Sequence, residues 1–386
     1  MLLEFGASNF YSFKEGFEVS LRLNSSCPEK ISHNKEYTNI LAVKGANASG
    51  KTNVLKVLSF LSEFTTNSFA EKPDEDIKAF SYFDNDDAIS IFVVFVANKI
   101  EYRYELEFTK KKIISEILYK KVQRYTKVLE RQANRLIYLK GKFKDLEVMK
   151  LRDNASFISS AKQYELASTA TIYNFFKSLI VTNVNIFGMH NNLPDYNKVS
   201  KHYYENPNTF EFAKNVLLSS DLGISDIKIR ERKDPESGKD IFFPIFEYDD
   251  EGRKFLTYHD QSAGVKILYI QLVFYNLALK YGGVLILDEF DINLHPDLLP
   301  PLIDFFENEK KNTKNAQLIF TTHNSEIMDN LGKYRIVLVN KENNESFLYR
   351  LDEIPGDLLR NDRSISKVYA NGKIGGKPRL NFENIW

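Results

Sequence analysis

The sequence has little cysteine, no excess of charge and no long hydrophobic run, and each absence excludes a class of protein. Its single cysteine, Cys27, excludes an internal disulfide and fits a reducing cytoplasm. Lys+Arg and Asp+Glu both number 52, so nucleic-acid binding would require a local basic patch. No window approaches about 18 consecutive apolar residues, and the N-terminus lacks a signal segment. We therefore expect a cytoplasmic protein that does not enter a membrane.

The order of the apolar patterns predicts an α/β fold. Alternating residues predict antiparallel strands in 1–23 and 89–139, where the stretch 124–134 fits either a strand or a helix. Helical patterns dominate 145–222. The last third alternates helices with short apolar strands, which is typical of a parallel sheet with crossover helices. The predicted elements of the middle and last parts are helices over 170–181, 209–219, 262–281 and 297–309, and strands over 225–231, 241–248, 284–288 and 317–322.

The strongest single motif is a glycine-bounded loop that follows an apolar strand and precedes a helix. The segment matches G-x-x-x-x-G-K-[ST], the phosphate-binding loop. Glycine torsions let successive backbone N–H groups point inward, and the helix N-terminus adds positive potential. Lys51 can bridge the β- and γ-phosphates of ATP, and the Thr52 hydroxyl can ligate Mg²⁺. The residues predicted to bind phosphate are Gly45, Ala46, Asn47, Ala48, Ser49, Gly50, Lys51, Thr52 and Asn53.

Two acidic residues end the apolar run Val284–Leu287. An all-apolar strand is typical of the buried centre of a parallel sheet, whose ligands bind at the carboxyl ends of the strands. Asp288 is suited to hold Mg²⁺, directly or through water, and Glu289 is suited to accept a proton from the attacking water. The plainer alternative is that both acids cap the next helix.

His323 follows the next apolar strand at the same predicted edge, where an imidazole can contact a γ-phosphate. A second glycine-containing turn, Ser262-Ala263-Gly264, precedes the helix that leads to Asp288. Its hydroxyl and N–H groups could face an anion, although a helix cap by Ser262 explains it equally well.

Taken in order, these motifs resemble the ABC-type ATPase head. The resemblance identifies 45–52 as Walker A, 261–266 as the signature, 284–289 as Walker B, 292–296 as the D-loop and His323 as the switch histidine. It implies a P-loop NTPase with a mixed central sheet, an antiparallel β subdomain and a helical insertion. It also implies a head-to-tail dimer in which Ser262, Ala263 and Gly264 complete the site of the other subunit. ATP and Mg²⁺ are the implied ligands, and Lys51, Glu289 and His323 are the implied catalytic residues.

The two ends of the chain narrow the resemblance. The opening pattern around Asn9, Phe10 and Phe13 is similar to the SMC/RecF-like branch, and the ending 369–378 resembles the AbiL and RloC-like core ATPases of phage defence. This group implies an effector encoded nearby, either nuclease-like or RloB-like. The expected domains are 1–140 and 223–386, which form the head, with a mainly helical insertion at 141–222. No glutamine occurs at 77–84, where the family's Q-loop is expected.

Two other functions stay open at this point. A RecF-like repair ATPase would bind DNA through a basic face, for which the sequence offers Lys110–Lys112, Lys120, Lys121, Arg124, Lys127, Arg131 and Arg135. A solvated strand face explains the same residues more simply. A transporter subunit is disfavoured by the N-terminal pattern and by the long insertion.

Overall fold

A computed structural model gives the fold of the chain and describes residues 1–189, 194–235, 238–360 and 363–378. The strands are β1 Leu2–Ser8, β2 Phe17–Ser20, β3 Ile40–Gly45, β4 Ile89–Ala97, β5 Ile100–Phe108, β6 Ile113–Lys121, β7 Tyr125–Gln132, β8 Arg135–Leu139, β9 Leu179–Val181, β10 Val184–Asn185, β11 Gly188–Met189, β12 Asp226–Lys233, β13 Asp240–Glu247, β14 Phe255–Thr257, β15 Val284–Leu287, β16 Gln317–Thr321, β17 Ile336–Glu342 and β18 Glu345–Arg350. The helices are α1 Glu29–Ser32, α2 Lys51–Asn67, α3 Phe157–Gln163, α4 Ala170–Lys177, α5 Tyr196–Glu205, α6 Pro207–Leu218, α7 Ala263–Tyr281, α8 Leu299–Glu307, α9 Ile327–Leu331 and α10 Ile365–Ala370.

A six-stranded sheet forms the centre of the fold. Its strand order is β18-β17-β3-β16-β15-β9. All neighbouring strands from β17 to β9 pair in parallel, and only β18 is antiparallel. The carboxyl ends of β3, β15 and β16 therefore lie at one edge, which places the phosphate loop, the acids and the histidine on the same side.

Alternation along the central strands divides the core into two layers. On β3, Leu41 and Val43 pack into the cluster that contains α2, whereas Ile40 and Ala42 pack into the cluster that contains α7 and α8. Successive strand residues point to opposite faces, and both faces are covered, so all four side chains are buried. The near-continuous apolar runs of these strands follow from this double burial.

A second, antiparallel sheet carries the N-terminal part of the chain in the order β2-β1-β4-β5-β6-β7-β8. Gln317 of the central sheet joins it to the first by accepting a hydrogen bond from the Leu2 N–H at 2.6 Å and donating one to the Leu2 carbonyl at 2.8 Å. In this second sheet, Glu116 and Arg131 form an ion pair at 3.0 Å with both side chains fully buried. Arg131 also donates to the Ala155 carbonyl at 2.6 Å and Glu116 accepts from the Phe157 N–H at 3.0 Å, so the pair connects the sheet to the start of α3.

The predicted fold class is confirmed: a mixed central sheet is combined with an antiparallel β subdomain. Most of the stretch 124–134 forms strand β7, Tyr125–Gln132, and its last two residues form the turn to β8. The helix predicted over 170–181 is wrong at its end, because α4 ends at Lys177 and residues 179–181 form β9, which pairs with β15. The domain boundaries stay a prediction. In the described part of the chain, no helix is both long and apolar enough to span a bilayer.

Candidate nucleotide-binding site

The glycine-bounded loop connects β3 directly to α2. Gly50 has φ +110°, and a side chain on Gly45 would lie 2.4 Å from the Val339 carbonyl oxygen, so both positions require glycine. The Lys51 ammonium donates hydrogen bonds to the Gly45 and Ala46 carbonyls at 3.0 and 2.9 Å. Burial lowers the pKa of Lys51, opposed by the nearby acids, of which Asp288 acts most strongly. The loop therefore holds a buried cation at the helix N-terminus.

The remaining loop residues divide between exposed and supported positions. Asn47 and Ala48 are exposed, and Ala48 has a left-handed φ of +60°. The Asn53 amide donates to the Ser12 hydroxyl at 2.8 Å, and the Ser346 hydroxyl donates to the Ser49 carbonyl at 2.6 Å. The Ser49 hydroxyl is buried and has no hydrogen-bond partner among the described residues. An orphaned donor in a cradle of N–H groups suits an anionic ligand.

Asp288 lies at the centre of the carboxyl edge. It is 1% exposed and accepts hydrogen bonds from the Thr52 hydroxyl at 2.8 Å and the Thr321 hydroxyl at 2.5 Å. Among the described residues it forms no ion pair, because the Lys51 ammonium is turned to the loop carbonyls. A buried carboxylate with only neutral partners is costly unless a cation completes it. Carboxylate and hydroxyl oxygens are ligands that Mg²⁺ prefers.

Glu289 follows Asp288 with the backbone in the left-handed region, at φ +48°. Its N–H donates to the Thr321 hydroxyl at 2.7 Å, so the same threonine contacts both acids. The side chain is partly exposed. This backbone conformation is uncommon for a residue other than glycine, and Glu289 shares it with several turn residues of the described chain. The next helical turn begins at Pro296 with His295 at its N-cap, so neither acid caps it.

His323 lies beyond the end of β16. Its N–H points between both carboxylate oxygens of Asp291, each at 3.2 Å, and its carbonyl accepts a hydrogen bond from Lys44 at 2.8 Å. Partial burial and the Lys51 ammonium lower the pKa of the imidazole. The ring is therefore mostly neutral at neutral pH, a form that can donate one hydrogen bond to a phosphate oxygen.

Asn183 is a residue that sequence reasoning missed. It follows β9, the strand beside β15. Its side-chain amide forms two hydrogen bonds with the backbone of Asp288: it accepts from the N–H at 2.8 Å and donates to the carbonyl at 2.6 Å. A polar residue after a short apolar run was its only signal. The expected Q-loop segment 77–84 instead packs beside the N-terminal turn, where the backbone N–H of Tyr11 donates to the Phe80 carbonyl at 2.9 Å. The residue that contacts Asp288 from the neighbouring strand end is Asn183.

The glycine-containing turn before α7 is exposed at Ser262 and Ala263. The Ser262 hydroxyl caps α7 by accepting from the Val265 N–H at 3.3 Å. A side chain on Gly264 would lie 2.6 Å from the carbonyl oxygen of Asn293, so this glycine lets the 292–296 segment pack against the helix start. Within the described parts of the chain, no hydrogen bond joins 262–264 to the phosphate loop.

Part of the basic face considered for DNA binding is buried or paired with acidic residues. Arg131 is fully buried with Glu116, so its assignment to an exposed patch is wrong. Lys111 pairs with Asp76 at 2.7 Å, and Lys121 pairs with Glu101 at 3.1 Å. Sequence patterns could not separate these residues from free surface cations, because their partners come from other strands and loops.

The strand–loop–helix of the phosphate loop and the acids at the carboxyl edge of the central sheet together have the arrangement of a P-loop NTPase core. Residues 40–329 match the family described as "AAA domain, putative AbiEii toxin, Type IV TA system". This match spans most of the chain, which therefore belongs to that family. The ABC-type resemblance read from the motifs is confirmed.

Three solved structures are similar over most of their length. The SMC head domain from Thermotoga maritima is 16% identical, with 90% of this chain and 98% of that chain covered and a TM-score of 0.46. An Smc head bound to the C-winged helix domain of ScpA is 12% identical, with 90% and 96% covered and a TM-score of 0.48. The Smc head with an extended coiled coil bound to the C-terminal domain of ScpA, from Pyrococcus furiosus, is 9% identical, with 91% and 97% covered and a TM-score of 0.44. No curated protein matches the chain.

Proposed function

We propose that this chain binds ATP with Mg²⁺ at the carboxyl edge of the central sheet and hydrolyses it to ADP and phosphate. The observation that carries the proposal is the hydrogen bond between Thr52 and Asp288, at 2.8 Å. It joins the phosphate loop to a buried carboxylate that has no direct ion-pair partner among the described residues. Phosphate binding and metal binding require these two groups side by side.

Each group has a distinct role in the proposed reaction. Thr52 and Asp288 would hold Mg²⁺, which when bound neutralises charge on the β- and γ-phosphates. Lys51 releases its loop carbonyls and turns to the phosphate oxygens. Glu289 accepts a proton from the attacking water, and the neutral imidazole of His323 donates a hydrogen bond to the γ-phosphate. Asn183 keeps the Asp288 backbone in place through its two hydrogen bonds.

The active form in this proposal is a head-to-tail homodimer. Ser262, Ala263 and Gly264 are exposed or partly exposed and make no hydrogen bond to the phosphate loop of their own chain within its described parts. A helix N-terminus with a hydroxyl and free N–H groups favours an anion. We assign these residues to the ATP site of the second subunit, as the ABC-type resemblance implies.

The biological role that fits the proposed ATPase is that of a cytoplasmic ATP-dependent sensor or scaffold in anti-phage defence. The family description, which refers to an AbiEii toxin and a type IV toxin–antitoxin system, supports a place in abortive infection. A partner effector, nuclease-like or RloB-like and encoded nearby, would supply the toxic activity. Co-purification with the product of the adjacent gene tests this role. A complex that responds to ATP supports it, and absence of any complex with or without ATP contradicts it.

The ATPase proposal is tested by phosphate release from purified protein with Mg-ATP, compared with a Lys51→Ala variant. We expect turnover by the wild type and a loss of at least about 100-fold in nucleotide affinity for the variant, because Lys51 is the buried cation of the loop. Lys56→Ala, at a second buried lysine on the same helix, controls for the removal of a buried side chain. Equal nucleotide binding by wild type and Lys51→Ala would contradict the assignment.

A further inference from the structure

Lys44 is a buried lysine that the proposed reaction does not use. It lies one residue before the phosphate loop and is 2% exposed. Its ammonium donates a hydrogen bond to the His323 carbonyl at 2.8 Å and lies 5.0 Å from the centre of the Tyr369 ring. Within the described residues it forms no ion pair. One cation thus contacts the backbone of the predicted phosphate sensor and an aromatic ring near the C-terminus.

The ring belongs to residues 365–377, which we name the C-terminal segment. The Tyr369 hydroxyl donates to the Gly376 carbonyl at 2.9 Å, and the Gly376 N–H donates to the Asn340 side chain at 2.5 Å. A side-chain atom on Gly376 would lie 3.6 Å from Cα of Gly45, the first loop glycine. The C-terminal segment therefore packs directly against the phosphate loop as well as against Lys44.

We propose that Lys44 is a positioning residue that couples the C-terminal segment to His323, so that nucleotide on the phosphate loop tightens the docking of this segment. The inference rests on the proposed ATP site. His323 offers its imidazole to the γ-phosphate and its carbonyl to Lys44, so a shift of the residue towards phosphate is transmitted to the ammonium. The ammonium in turn determines how the Tyr369 ring is held, and the Tyr369 hydroxyl holds Gly376.

The electrostatics of Lys44 agree with this coupling. Burial lowers its pKa to about 8, with Asp291 opposing the shift and Lys51 adding to it. The other groups that contact it are the His323 carbonyl and the Tyr369 ring. A polyphosphate bound beside Lys51 offsets the repulsion between the two ammonium groups and favours the charged form of Lys44. Both contacts of the ammonium are stronger in that form.

Hydrogen–deuterium exchange with mass spectrometry tests the proposal, with a non-hydrolysable ATP analogue and Mg²⁺ as the probe. In the wild type we expect slower exchange in peptides covering 45–52 and about tenfold slower exchange in the C-terminal segment. Lys44→Met and Tyr369→Leu should keep the protection of 45–52 and lose that of the C-terminal segment. Lys56→Met is the matched control, because Lys56 is also buried but lies over Tyr11, at 3.8 Å; it should keep both responses.

The outcomes separate this inference from the ATPase proposal. Protection of 45–52 without any change in the C-terminal segment of the wild type would overturn the coupling and leave nucleotide binding standing. No response in either peptide would overturn nucleotide binding itself. A Lys44→Met protein that still transmits protection would show that Lys44 is not the link. If that variant does not fold, Tyr369→Leu and the wild-type comparison decide the matter.

Discussion

Two buried carboxylates in this molecule have opposite surroundings. Glu116, in the antiparallel sheet, is 0% exposed, pairs with Arg131 at 3.0 Å and accepts hydrogen bonds from Tyr104 at 2.7 Å and Ser156 at 2.6 Å. Asp288, at the edge of the central sheet, is 1% exposed and has the hydroxyls of Thr52 and Thr321 as its side-chain partners. The first acid has a direct ion-pair partner, whereas the second has none among the residues that the structure describes.

The difference separates a structural acid from a functional one. A buried charge is tolerated when it is paired and fully hydrogen-bonded, as Glu116 is. Asp288 has neutral hydrogen-bond partners, and Glu289 directly after it has a left-handed backbone. On the phosphate loop, which Thr52 connects to Asp288, the buried Ser49 hydroxyl has no hydrogen-bond partner among the described residues. Unpaired buried polar groups lower the stability of the folded chain and are typical of a site that binds a ligand. The phosphate loop identifies this ligand as a nucleotide with its metal.

The largest expected effect concerns Glu289, whose exchange to Gln removes the proposed base but keeps the shape of the side chain. Turnover of Mg-ATP should fall by about 10²–10⁴-fold, with nucleotide affinity retained, because a positioned base contributes that much to the rate. The trapped ATP should also make a dimer accumulate, which sedimentation velocity can measure. Normal hydrolysis by this variant would refute the base assignment.

Asp288→Asn tests the functional half of the comparison. Turnover should fall by roughly 100-fold because the metal loses its carboxylate ligand. The free energy of unfolding in urea should stay the same or rise by about 1–3 kcal/mol, since the variant removes a buried carboxylate that has no direct ion pair in the described part of the chain. A strongly destabilised but active variant would place Asp288 among the structural acids.

Glu116→Gln tests the structural half. It leaves the Arg131 guanidinium buried without a counter-charge, so the free energy of unfolding should fall by about 3–5 kcal/mol. ATP turnover per folded molecule should not change, because the pair lies in the other sheet. The double variant Glu116→Gln/Arg131→Met is the control and should recover part of the loss. If the Glu116→Gln protein is fully folded and its ATP turnover is nevertheless reduced, Glu116 cannot be a purely structural acid.

The smallest expected effect concerns Ser262, which contacts neither Glu116 nor Asp288. Ser262→Ala should lower the free energy of unfolding by about 1 kcal/mol through loss of the cap of α7. Ser262→Asn keeps a capping side chain and should keep stability. If Ser262 acts on the ATP of a second subunit, both variants weaken ATP-dependent dimerisation in the Glu289→Gln background. If dimerisation is weak in Ser262→Ala but normal in Ser262→Asn, it depends only on the helix cap, and the role of Ser262 is purely structural.

Motifs tied to a strand end could be predicted from the sequence, because the parallel sheet alone brings their residues together. The phosphate loop, Asp288 and His323 are of this kind. Strand β9 could not be told from the end of a helix, since three apolar residues fit both patterns. With β9 unrecognised, Asn183 had no predicted place beside Asp288. The burial of Arg131 was equally hidden, because its partner lies on a neighbouring strand and only pairing in space reveals it.

A structure of Glu289→Gln with Mg-ATP tests the account most directly. We predict the triphosphate between Lys51 and His323, the metal on Thr52 and Asp288, and Ser262 of a second subunit against the γ-phosphate. Nucleotide bound away from the Asp288 carboxylate, or a complete site within one chain, would contradict it.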